Sequence, residues 1–431
     1  MTADSSRQVD EVRIDTRPTA SDAAIPPRVI VALHEGFYGA SSGTGFSNRA
    51  FLLALTRLLP SGRLVVMPAH VSADQPGHDR QWAAHLWPLL RSAEAEVVPI
   101  GQGETFVDSV RGRDKLCSLV GAKAARVAAL SGRSLLIGLD VPLLGLGSYV
   151  PQDVDLLLVP RSSAALTHAH DRARVRWERA GLRSAVAHGG LIAAISQHMR
   201  QHLTAEYGIP GRALLDLPNG LVSHDVATGP GLPLPARARA GFLLAMGRAV
   251  PEKGFEDLLH ALSLLRQRSV RLPHLVLIAG STTPGQDRYL SLLDRLIREY
   301  RLNTTLITRF RTAARSWLRS PALRAVIVPS RIEPFGRIPL EAFAAQAGPV
   351  VATSAGGLAQ TVLDGVTGFT AAPGDSESLA AAIQRALTLT PREREQLASA
   401  GAALVASRHD YVTTIHAALA RCAPWSMAEA Q

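Results

Sequence analysis

The chain contains Ala325-Val-Ile-Val-Pro-Ser330, followed three residues later by Glu333-Pro-Phe-Gly-Arg-Ile-Pro-Leu-Glu341. The first segment is short, β-branched and followed by turn residues, which predicts a buried parallel strand. The apolar spacing beyond Gly336 predicts a packed helix. Glu333 is therefore expected in a loop at the carboxyl end of a strand, and Glu341 in the first turns of the next helix. Ligands of open α/β sheets bind at that edge. Two carboxylates there are able to hold hydroxyl groups at two points of one ligand, such as a sugar joined to a nucleotide.

The length and composition describe a globular protein of two domains. The chain has 431 residues, of which 47% are hydrophobic and 19% are charged. It has no uninterrupted apolar stretch of about 18 residues and no amino-terminal signal pattern, which predicts a cytoplasmic protein. Cys117 and Cys422 make neither a disulfide framework nor a metal-ligand cluster, so both are expected to be reduced thiols.

The net charge is strongly positive and comes from arginine. The formal value is +10, and 43 of the 46 basic residues are Arg. This charge is compatible with anionic ligands or with an anionic membrane surface. No recognised nucleic-acid-binding module accompanies it, so no nucleic-acid partner is expected.

Short apolar runs alternate with helical stretches, which predicts parallel sheets covered by helices on both faces. The predicted strands are Val29–Leu33, Leu64–Pro68, Val97–Ile100, Leu135–Leu139, Leu156–Val159, Leu191–Ile195 and Leu214–Leu217, then Phe242–Met246, His274–Ala279, Thr305–Thr308, Ala325–Val328 and Val350–Thr353. A Pro/Gly-rich stretch that begins at Val226 separates the two series and indicates a linker. Two doubly wound domains would then face each other across a cleft, where ligands commonly bind.

A basic loop follows the first predicted strand of the second domain. Its sequence is Gly247-Arg248-Ala-Val-Pro-Glu-Lys253-Gly254. An arginine and a lysine in such a loop are able to converge on a diphosphate, Arg as a planar fork and Lys as a mobile point charge. A solvated surface pair is the alternative. Lys253 is one of only three lysines in the chain, which favours a specific use.

Two glycine turns follow predicted strands and would offer backbone amides to an anion. Gly43-Thr-Gly45 precedes a helix of the first domain, and Gly356-Gly357 follows the strand Val350–Thr353. Each is equally compatible with a tight turn that requires glycine for its backbone. The first turn lacks the third glycine of the dinucleotide fingerprint, which argues against a nicotinamide enzyme.

Two pairs of polar residues give weaker signals. Asp153-Val-Asp155 has the spacing of a two-carboxylate metal site, but it precedes a strand and has no third ligand, so no metal is predicted. His168-Ala-His170 begins a basic stretch that lines an acceptor pocket, touches anionic lipid or is simply a solvated helix face, the last being the simplest explanation. The sequence has no Gly-x-Ser-x-Gly elbow, no phosphate-binding P-loop and no metalloprotease helix, which removes those enzyme classes.

Taken together, the second-domain patterns resemble the retaining glycosyltransferases of the GT-B fold, specifically family 4 (glycosyltransferase group 1). The resemblance covers roughly residues 185–420 and depends on the combination of segments, since no single one is specific. The matching segments are Gly247-Arg248-x4-Lys253-Gly254, Pro329-Ser330-x2-Glu333-x-Phe335-Gly336-x4-Glu341, Gly348-Pro349-Val-Val-Ala-Thr353-x2-Gly356-Gly357 and Asp364-Gly-Val-Thr-Gly368, with Ala194-Ile-Ser196 and Pro218-Asn219-Gly220 in the first domain.

The resemblance implies a nucleoside-diphosphate sugar as donor, preferably a UDP-sugar. Arg248 and Lys253 would hold its diphosphate and offset the charge that develops on the leaving group. Glu333 would hold hydroxyl groups of the transferred sugar, beside the backbone of Phe335-Gly336. Glu341 would take the ribose hydroxyls of the nucleotide.

Further implications concern the two sides of the cleft. Gly45 would approach the diphosphate from the opposite domain, and Gly356-Gly357 would lie on the donor side. His168 and His170 are candidates for the acceptor side. The family typically needs no metal or other cofactor. Its bond-making is thought to be front-face with an oxocarbenium-like transition state, in which the leaving phosphate takes the acceptor's proton.

The resemblance also divides the chain and marks departures from the family. The predicted divisions are a flexible tail (1–26), an acceptor-side Rossmann-like domain (27–225), a linker (226–240), a nucleotide-sugar-binding Rossmann-like domain (241–405) and a C-terminal helix that crosses back to the first domain (406–431). Arg337 stands where an aliphatic residue is common, Gln360 where an acid is common, and Arg309–Arg311 where a glycine is usual.

Two other functions stay open beside the transferase. One is a GT-B sugar-nucleotide epimerase, which the Arg248/Lys253 pair with both glutamates argues against. The other is a non-catalytic sugar-nucleotide-binding protein, which the presence of both glutamates disfavours. The acceptor, whether a small natural product, a soluble sugar or a lipid-linked glycan, is left open, as is peripheral membrane contact.

Overall fold

The computed structural model describes residues 26–40, 42–69, 78–101, 106–107, 109–222, 231–281, 286–309 and 311–428. The predicted tail lies outside the described residues except for Pro26. The first part of the predicted linker, up to residue 230, also lies outside them.

The first domain is built on a sheet of seven parallel strands. They are β1 (Arg28–Leu33), β2 (Leu64–Pro68), β3 (Glu96–Val97), β4 (Ser134–Leu139), β5 (Val154–Val159), β6 (Leu191–Ala194) and β7 (Leu214–Asp216). Their order in the sheet is β3-β2-β1-β4-β5-β6-β7. The central strands are almost fully buried, as expected when helices cover both faces. All seven predicted strands are present, and β3 is limited to Glu96–Val97, although the N–H groups of Val98 and Ile100 still donate to the carbonyls of Val66 and Pro68 in β2, at 2.9 Å each.

Six helices cover this sheet. They are α1 (Gly43–Leu58), α2 (Arg80–Ser92), α3 (Val110–Ala128), α4 (Ala164–Thr167), α5 (Arg172–Ala187) and α6 (Gln197–Tyr207). The sequence predicts that α1 begins at Asn48, but it begins five residues earlier. The side chain of Ser42 caps the helix, so the two glycines that follow are its first turn and not a loop before it.

The second domain repeats the architecture with six parallel strands. They are β8 (Phe242–Arg248), β9 (His274–Gly280), β10 (Thr304–Ile307), β11 (Leu323–Val328), β12 (Val350–Thr353) and β13 (Gly368–Ala371). Their order is β10-β9-β8-β11-β12-β13. The edge strand β13 was not predicted, because Gly-Phe-Thr-Ala is neither an apolar run nor a regular alternation.

The remaining helices are α7 (Phe255–Gln267), α8 (Gln286–Glu299), α9 (Arg337–Ala344), α10 (Leu358–Thr361), α11 (Ser376–Thr388), α12 (Pro391–Arg408) and α13 (Tyr411–Cys422). The last of these packs on α1 of the first domain. The rings of Tyr411 and Phe51 meet edge to face at 5.7 Å, and Nη1 of Arg161 donates to the Tyr411 hydroxyl at 2.6 Å. The end of the chain therefore lies against the first domain. None of the described helices is both long and apolar enough to cross a bilayer.

Each sheet has one crevice, at the point where its strand order reverses. The two domains also contact each other directly. The strand order reverses between β1 and β4 in the first sheet and between β8 and β11 in the second. Such switch points are where doubly wound sheets bind ligands. Across the cleft, the Ser196 hydroxyl donates to the carbonyl of Pro334 at 2.7 Å, and the N–H of Gln197 donates to Oε1 of Gln360 at 3.1 Å.

Candidate active site

Lys253 and Glu333 meet at the switch point of the second sheet. Lys253 ends a single 3-10 turn after β8, and Glu333 lies in the loop after β11. Nζ of Lys253 lies 2.5 Å from Oε2 of Glu333, and both side chains are mostly buried. The backbone N–H groups of Arg331 and Ile332 also donate to the carbonyl of Glu252 at 2.8 and 3.3 Å. These bonds hold the two loops together, so Lys253 and Glu333, which are 80 positions apart in the sequence, lie side by side.

Arg331 also anchors the loop that carries Glu333 to helix α7. Its guanidinium donates to both carboxylate oxygens of Asp257 at 2.7 and 2.6 Å, and lies 2.8 Å from Oε1 of Glu256. The hydrogen bonds to Asp257 and the charge of Glu256 raise the pKa of Arg331, so the guanidinium stays charged. Sequence reasoning missed this brace, because nothing in the local pattern connects Arg331 with α7.

Gly254 lets the two loops approach each other. Its φ is +62°, and a Cβ there would lie 2.0 Å from the carbonyl oxygen of Pro329. Any side chain would therefore push the Lys253 loop away from the Glu333 loop.

Gly254→Ala is expected to lower the free energy of unfolding by more than about 2 kcal/mol, since it adds a clash to an unfavourable backbone conformation. Urea denaturation measures the change. Gly374→Ala is the matched control, because Gly374 has a φ of +74° but open space around a Cβ. It should cost only about 1 kcal/mol. Equal losses in the two variants would contradict the close approach of the loops.

Arg248 ends β8 and faces the first domain. It is exposed. Partial desolvation and the charge of Arg174 lower the pKa of the His168 imidazole, and Arg248 adds to this effect while Glu252 opposes it. His168 belongs to the first domain, so the charges of the second-domain loop reach across the cleft to it. His170 lies beside it, with 6.2 Å between the ring centroids, and both imidazoles are exposed.

Phe335, Gly336 and the Gly356-Gly357 turn pack directly on Glu333. The φ of Gly336 is +96°, and a Cβ on Gly356 would lie 2.1 Å from the Glu333 carbonyl oxygen. The N–H of Gly357 donates to the same carbonyl at 2.9 Å. This amide therefore holds the Glu333 loop in place, and a contact between the turn and a phosphate stays a prediction.

Glu341 lies one turn into α9 and is held by two arginines. Oε2 accepts from Nε of Arg315 at 2.9 Å, and Oε1 accepts from Nε of Arg337 at 2.7 Å. The three residues are 5%, 2% and 7% exposed, so this is a buried network. Arg337 reaches Glu341 because residues four apart share a helix face. The guanidinium of Arg315 also lies 4.9 Å from the ring centroid of Phe46 in the first domain. Neither arginine was predicted to contact Glu341.

Gly45 lies in the first turn of α1, close to the carboxylate of Glu35, and its approach to a diphosphate stays a prediction. Its N–H donates to the Ser42 side chain at 3.3 Å as part of the helix cap. The carboxylate of Glu35 accepts from the N–H and the hydroxyl of Ser42 at 2.9 and 2.7 Å. A Cβ on Gly45 would lie 2.6 Å from Oε1 of Glu35. The amino end of α1, which the sequence assigned to a diphosphate, thus already contacts a carboxylate of the protein.

Asp140 is a further acid at the carboxyl edge of the first sheet. It directly follows β4, and desolvation raises the pKa of its carboxyl to about 6. An acid at the end of a predicted strand is the signal that singled out Glu333, so the sequence carries it here too. The sequence interpretation did not use it.

Asp155, from the Asp153-Val-Asp155 pattern, forms an ion pair with an arginine. Asp155 lies within β5, and its carboxylate is 3.2 Å from Nη2 of Arg133. Within the described part of the chain, no group of three or more His, Cys, Asp or Glu side chains is placed to hold a metal ion.

The chain is similar to several known proteins. Residues 234–403 match the model of the family described as glycosyl transferases group 1. Glycogen synthase of Mycobacterium tuberculosis is 33% identical over 219 residues, which are 51% of this chain and 50% of that protein. D-inositol 3-phosphate glycosyltransferase of Frankia alni is 36% identical over 183 residues, which are 39% of this chain and 44% of that protein. The chain spans about half the length of the curated relatives it matches.

The structural similarity to solved proteins covers more of the chain than the sequence similarity does. The crystal structure of Anabaena HepE in complex with UDP and glucose superposes with a TM-score of 0.67 at 20% identity. The match covers 91% of this chain and 98% of that one. Two Rossmann-like domains facing across a cleft are the GT-B fold, which confirms the predicted fold class. Residues 234–403 therefore match the glycosyl transferases group 1 family model, in a chain that has the GT-B fold.

Proposed function

We propose that this protein is a retaining glycosyltransferase of family 4. It moves a sugar from a nucleoside-diphosphate sugar, preferably a UDP-sugar, to a hydroxyl group of an acceptor. The observation that carries the proposal is the 2.5 Å ion pair between Lys253 and Glu333 at the switch point of the second sheet. Arg248 ends the neighbouring strand β8, so the proposal places a second cation on the exposed side of this ion pair, where a charged leaving group and a hydroxylated sugar would meet.

The donor diphosphate binds to Arg248 and Lys253. Glu333 balances the charge of Lys253 in the structure, and Arg248 supplies positive charge on the exposed side. In the transition state, negative charge grows on the leaving phosphate. Fixed cations in a partly desolvated cleft stabilise that charge more than the charge of the ground state.

Glu333 holds the transferred sugar. Its contacts with Lys253 and with the Ser330 hydroxyl both fall on Oε2, at 2.5 and 3.4 Å. Oε1 is then positioned to accept hydrogen bonds from sugar hydroxyls, next to Phe335 and Gly336. The C1–O bond to the phosphate breaks with its electron pair going to the phosphate oxygen. The acceptor oxygen bonds to C1 on the same face, and its proton passes to that phosphate oxygen, which gives retention.

Glu341 binds the ribose hydroxyls, and its arginines orient it. Oε2 accepts a hydrogen bond from Nε of Arg315 at 2.9 Å, and Oε1 accepts from Nε of Arg337 at 2.7 Å and lies 2.9 Å from Nη2 of Arg315. Oε2 therefore has a lone pair left for a hydroxyl donor. Arg315 also contacts Phe46, next to Gly45, so the proposed nucleotide site lies against the first domain. Gly356 shapes the donor side, and His168 and His170 lie on the acceptor side.

The test is a panel of UDP-, GDP-, ADP- and dTDP-sugars, with nucleotide release and the fate of the donor followed together. Release that depends on an added sugar, natural-product or glycan acceptor is the expected result. An isomerised donor without release would indicate an epimerase, and binding without turnover would indicate a non-catalytic protein. Activity is expected to survive excess EDTA, since metal independence is part of the proposal. The cytoplasmic location and a peripheral membrane contact stay predictions, which cell fractionation and vesicle flotation would check.

A further inference from the structure

Three charged residues lie at the carboxyl edge of the first sheet, at and next to its switch point. Asp140 directly follows β4, while Glu35 and Arg161 lie two residues beyond β1 and β5. These strands are neighbours and parallel, so their carboxyl ends share one edge. The charges of Arg161 and Glu35 both act on the Asp140 carboxyl group. The cluster therefore borders the crevice of the first domain.

The backbone of Asp140 adopts a conformation that only glycine occupies readily. Its φ and ψ are 78° and 172°. Among the described residues, five non-glycine residues have positive φ, and Asp140 has the largest value. The fold enforces this geometry, since its N–H donates to the carbonyl of Val159 at 2.9 Å and its carbonyl accepts from Leu143 at 3.2 Å. Backbone strain of this kind clusters at active sites and ligand-binding loops.

Arg161 presents a fixed donor beside it. Its side chain is held by Oδ1 of Asn48 at 3.3 Å, Oδ1 of Asn219 at 3.2 Å and the Tyr411 hydroxyl at 2.6 Å. The residue is only 4% exposed. Its Nη2 atom is buried and has no hydrogen-bond acceptor among the residues that the structure describes. A buried donor without an acceptor is rare in folded proteins and is often satisfied by a ligand or a water.

The charge balance of the crevice determines which ligand fits. Desolvation raises the pKa of Asp140, Glu35 acts in the same direction, and the Val141 N–H, Arg161 and Arg174 oppose it. Two carboxylates thus face two guanidiniums, one of which, Arg174, already lies 3.1 Å from Glu178. A phosphate would meet both carboxylates, whereas hydroxyl groups donate to a carboxylate and accept from a guanidinium.

We propose that Asp140 and Arg161 form the acceptor-recognition pair and that they select a neutral, polyhydroxylated acceptor over a phosphorylated one. The inference rests on the proposed transferase function. A hydroxyl of the acceptor donates to the Asp140 carboxylate, and a second oxygen accepts from Nη2 of Arg161.

The experiment compares wild type, Asp140→Gly and Asp140→Asn with four acceptors: glucose, myo-inositol, glucose 6-phosphate and inositol 3-phosphate. Transfer by the wild type should favour the two neutral compounds. Both variants should raise the acceptor KM at least about tenfold, because a hydrogen bond to a charged group is lost. UDP affinity, measured by calorimetry, should stay the same. Asp140→Gly should also raise the melting temperature, because it relieves the backbone conformation.

Two controls separate a binding role from a structural one. Ser269→Gly changes an exposed residue with a φ of 60° and should stabilise the protein without changing the acceptor KM. In wild type, kcat/KM for the acceptor should fall as the pH drops below about 6, where the Asp140 carboxylate becomes protonated, and Asp140→Asn should remove that fall. Glu35, Arg161 and Arg174 are the charged groups facing Asp140, so their single variants should shift this midpoint.

An unchanged acceptor KM in Asp140→Gly overturns the inference, and so does the absence of transfer to both neutral compounds. If the wild-type protein still binds UDP in these cases, the transferase proposal is unaffected. A wild-type protein that binds no nucleoside diphosphate overturns both.

Discussion

Lys253→Ala is expected to lower kcat/KM for sugar transfer by about 10²- to 10³-fold. The variant removes a cation that stabilises the leaving diphosphate in the transition state. It also leaves Glu333 without the partner that lies 2.5 Å away in the structure, so the uncompensated carboxylate repels the donor. The donor KM should therefore rise and kcat should fall. Initial-rate kinetics with varied donor concentration would measure both changes.

The double variant Lys253→Ala/Glu333→Gln separates these two effects. Removing the carboxylate charge should restore part of the UDP affinity lost in Lys253→Ala, but not kcat, because the transition state still lacks its cation. Lys123→Ala, another of the three lysines and located on α3 of the first domain, is the matched control and should behave as wild type. Wild-type kinetics in Lys253→Ala would refute the assignment of the diphosphate site.

Glu341→Ala is expected to have the largest effect on stability, about 3–5 kcal/mol of unfolding free energy. It leaves Arg315 and Arg337 as buried charges without the carboxylate that each contacts within 3 Å. Nucleotide affinity should fall as well, by about tenfold or more, because the ribose hydroxyls lose an ionised acceptor. Denaturant unfolding and calorimetry with UDP measure the two effects separately.

Arg337→Leu is the comparison for this variant. It places an aliphatic residue where the family commonly has one and leaves Glu341 paired with Arg315. Its loss of stability should be clearly smaller than that of Glu341→Ala. If Glu341→Ala retains wild-type stability, Arg315 and Arg337 do not depend on the Glu341 carboxylate for compensation of their buried charges.

The fold was largely predictable because its signals are local. Twelve of the thirteen strands follow from short apolar runs, and only β13, with Gly-Phe-Thr-Ala, lacks one. The position of Glu333 at the carboxyl edge also follows from a strand and a turn that adjoin it in sequence. Its meeting with Lys253 follows from topology, since β8 and β11 are neighbours once the sheet is doubly wound.

The partners of the site residues were not predictable, because they depend on contacts between distant segments. Arg315 reaches Glu341 from 26 residues away through a 3-10 turn that carries no strong pattern. Glu35 covers the amino end of α1 because Ser42 begins the helix earlier than the apolar spacing suggests. Asp140 differs, since its sequence signal exists but only the backbone geometry distinguishes it from an ordinary turn residue.

The most direct test of the central claim is the anomeric configuration of the product formed from a UDP-α-sugar, read by proton NMR together with nucleotide release. The proposed front-face reaction at Lys253 and Glu333 predicts an α-linked product and one UDP released for each sugar transferred. A β-linked product, or a donor that is altered without releasing UDP, would contradict it.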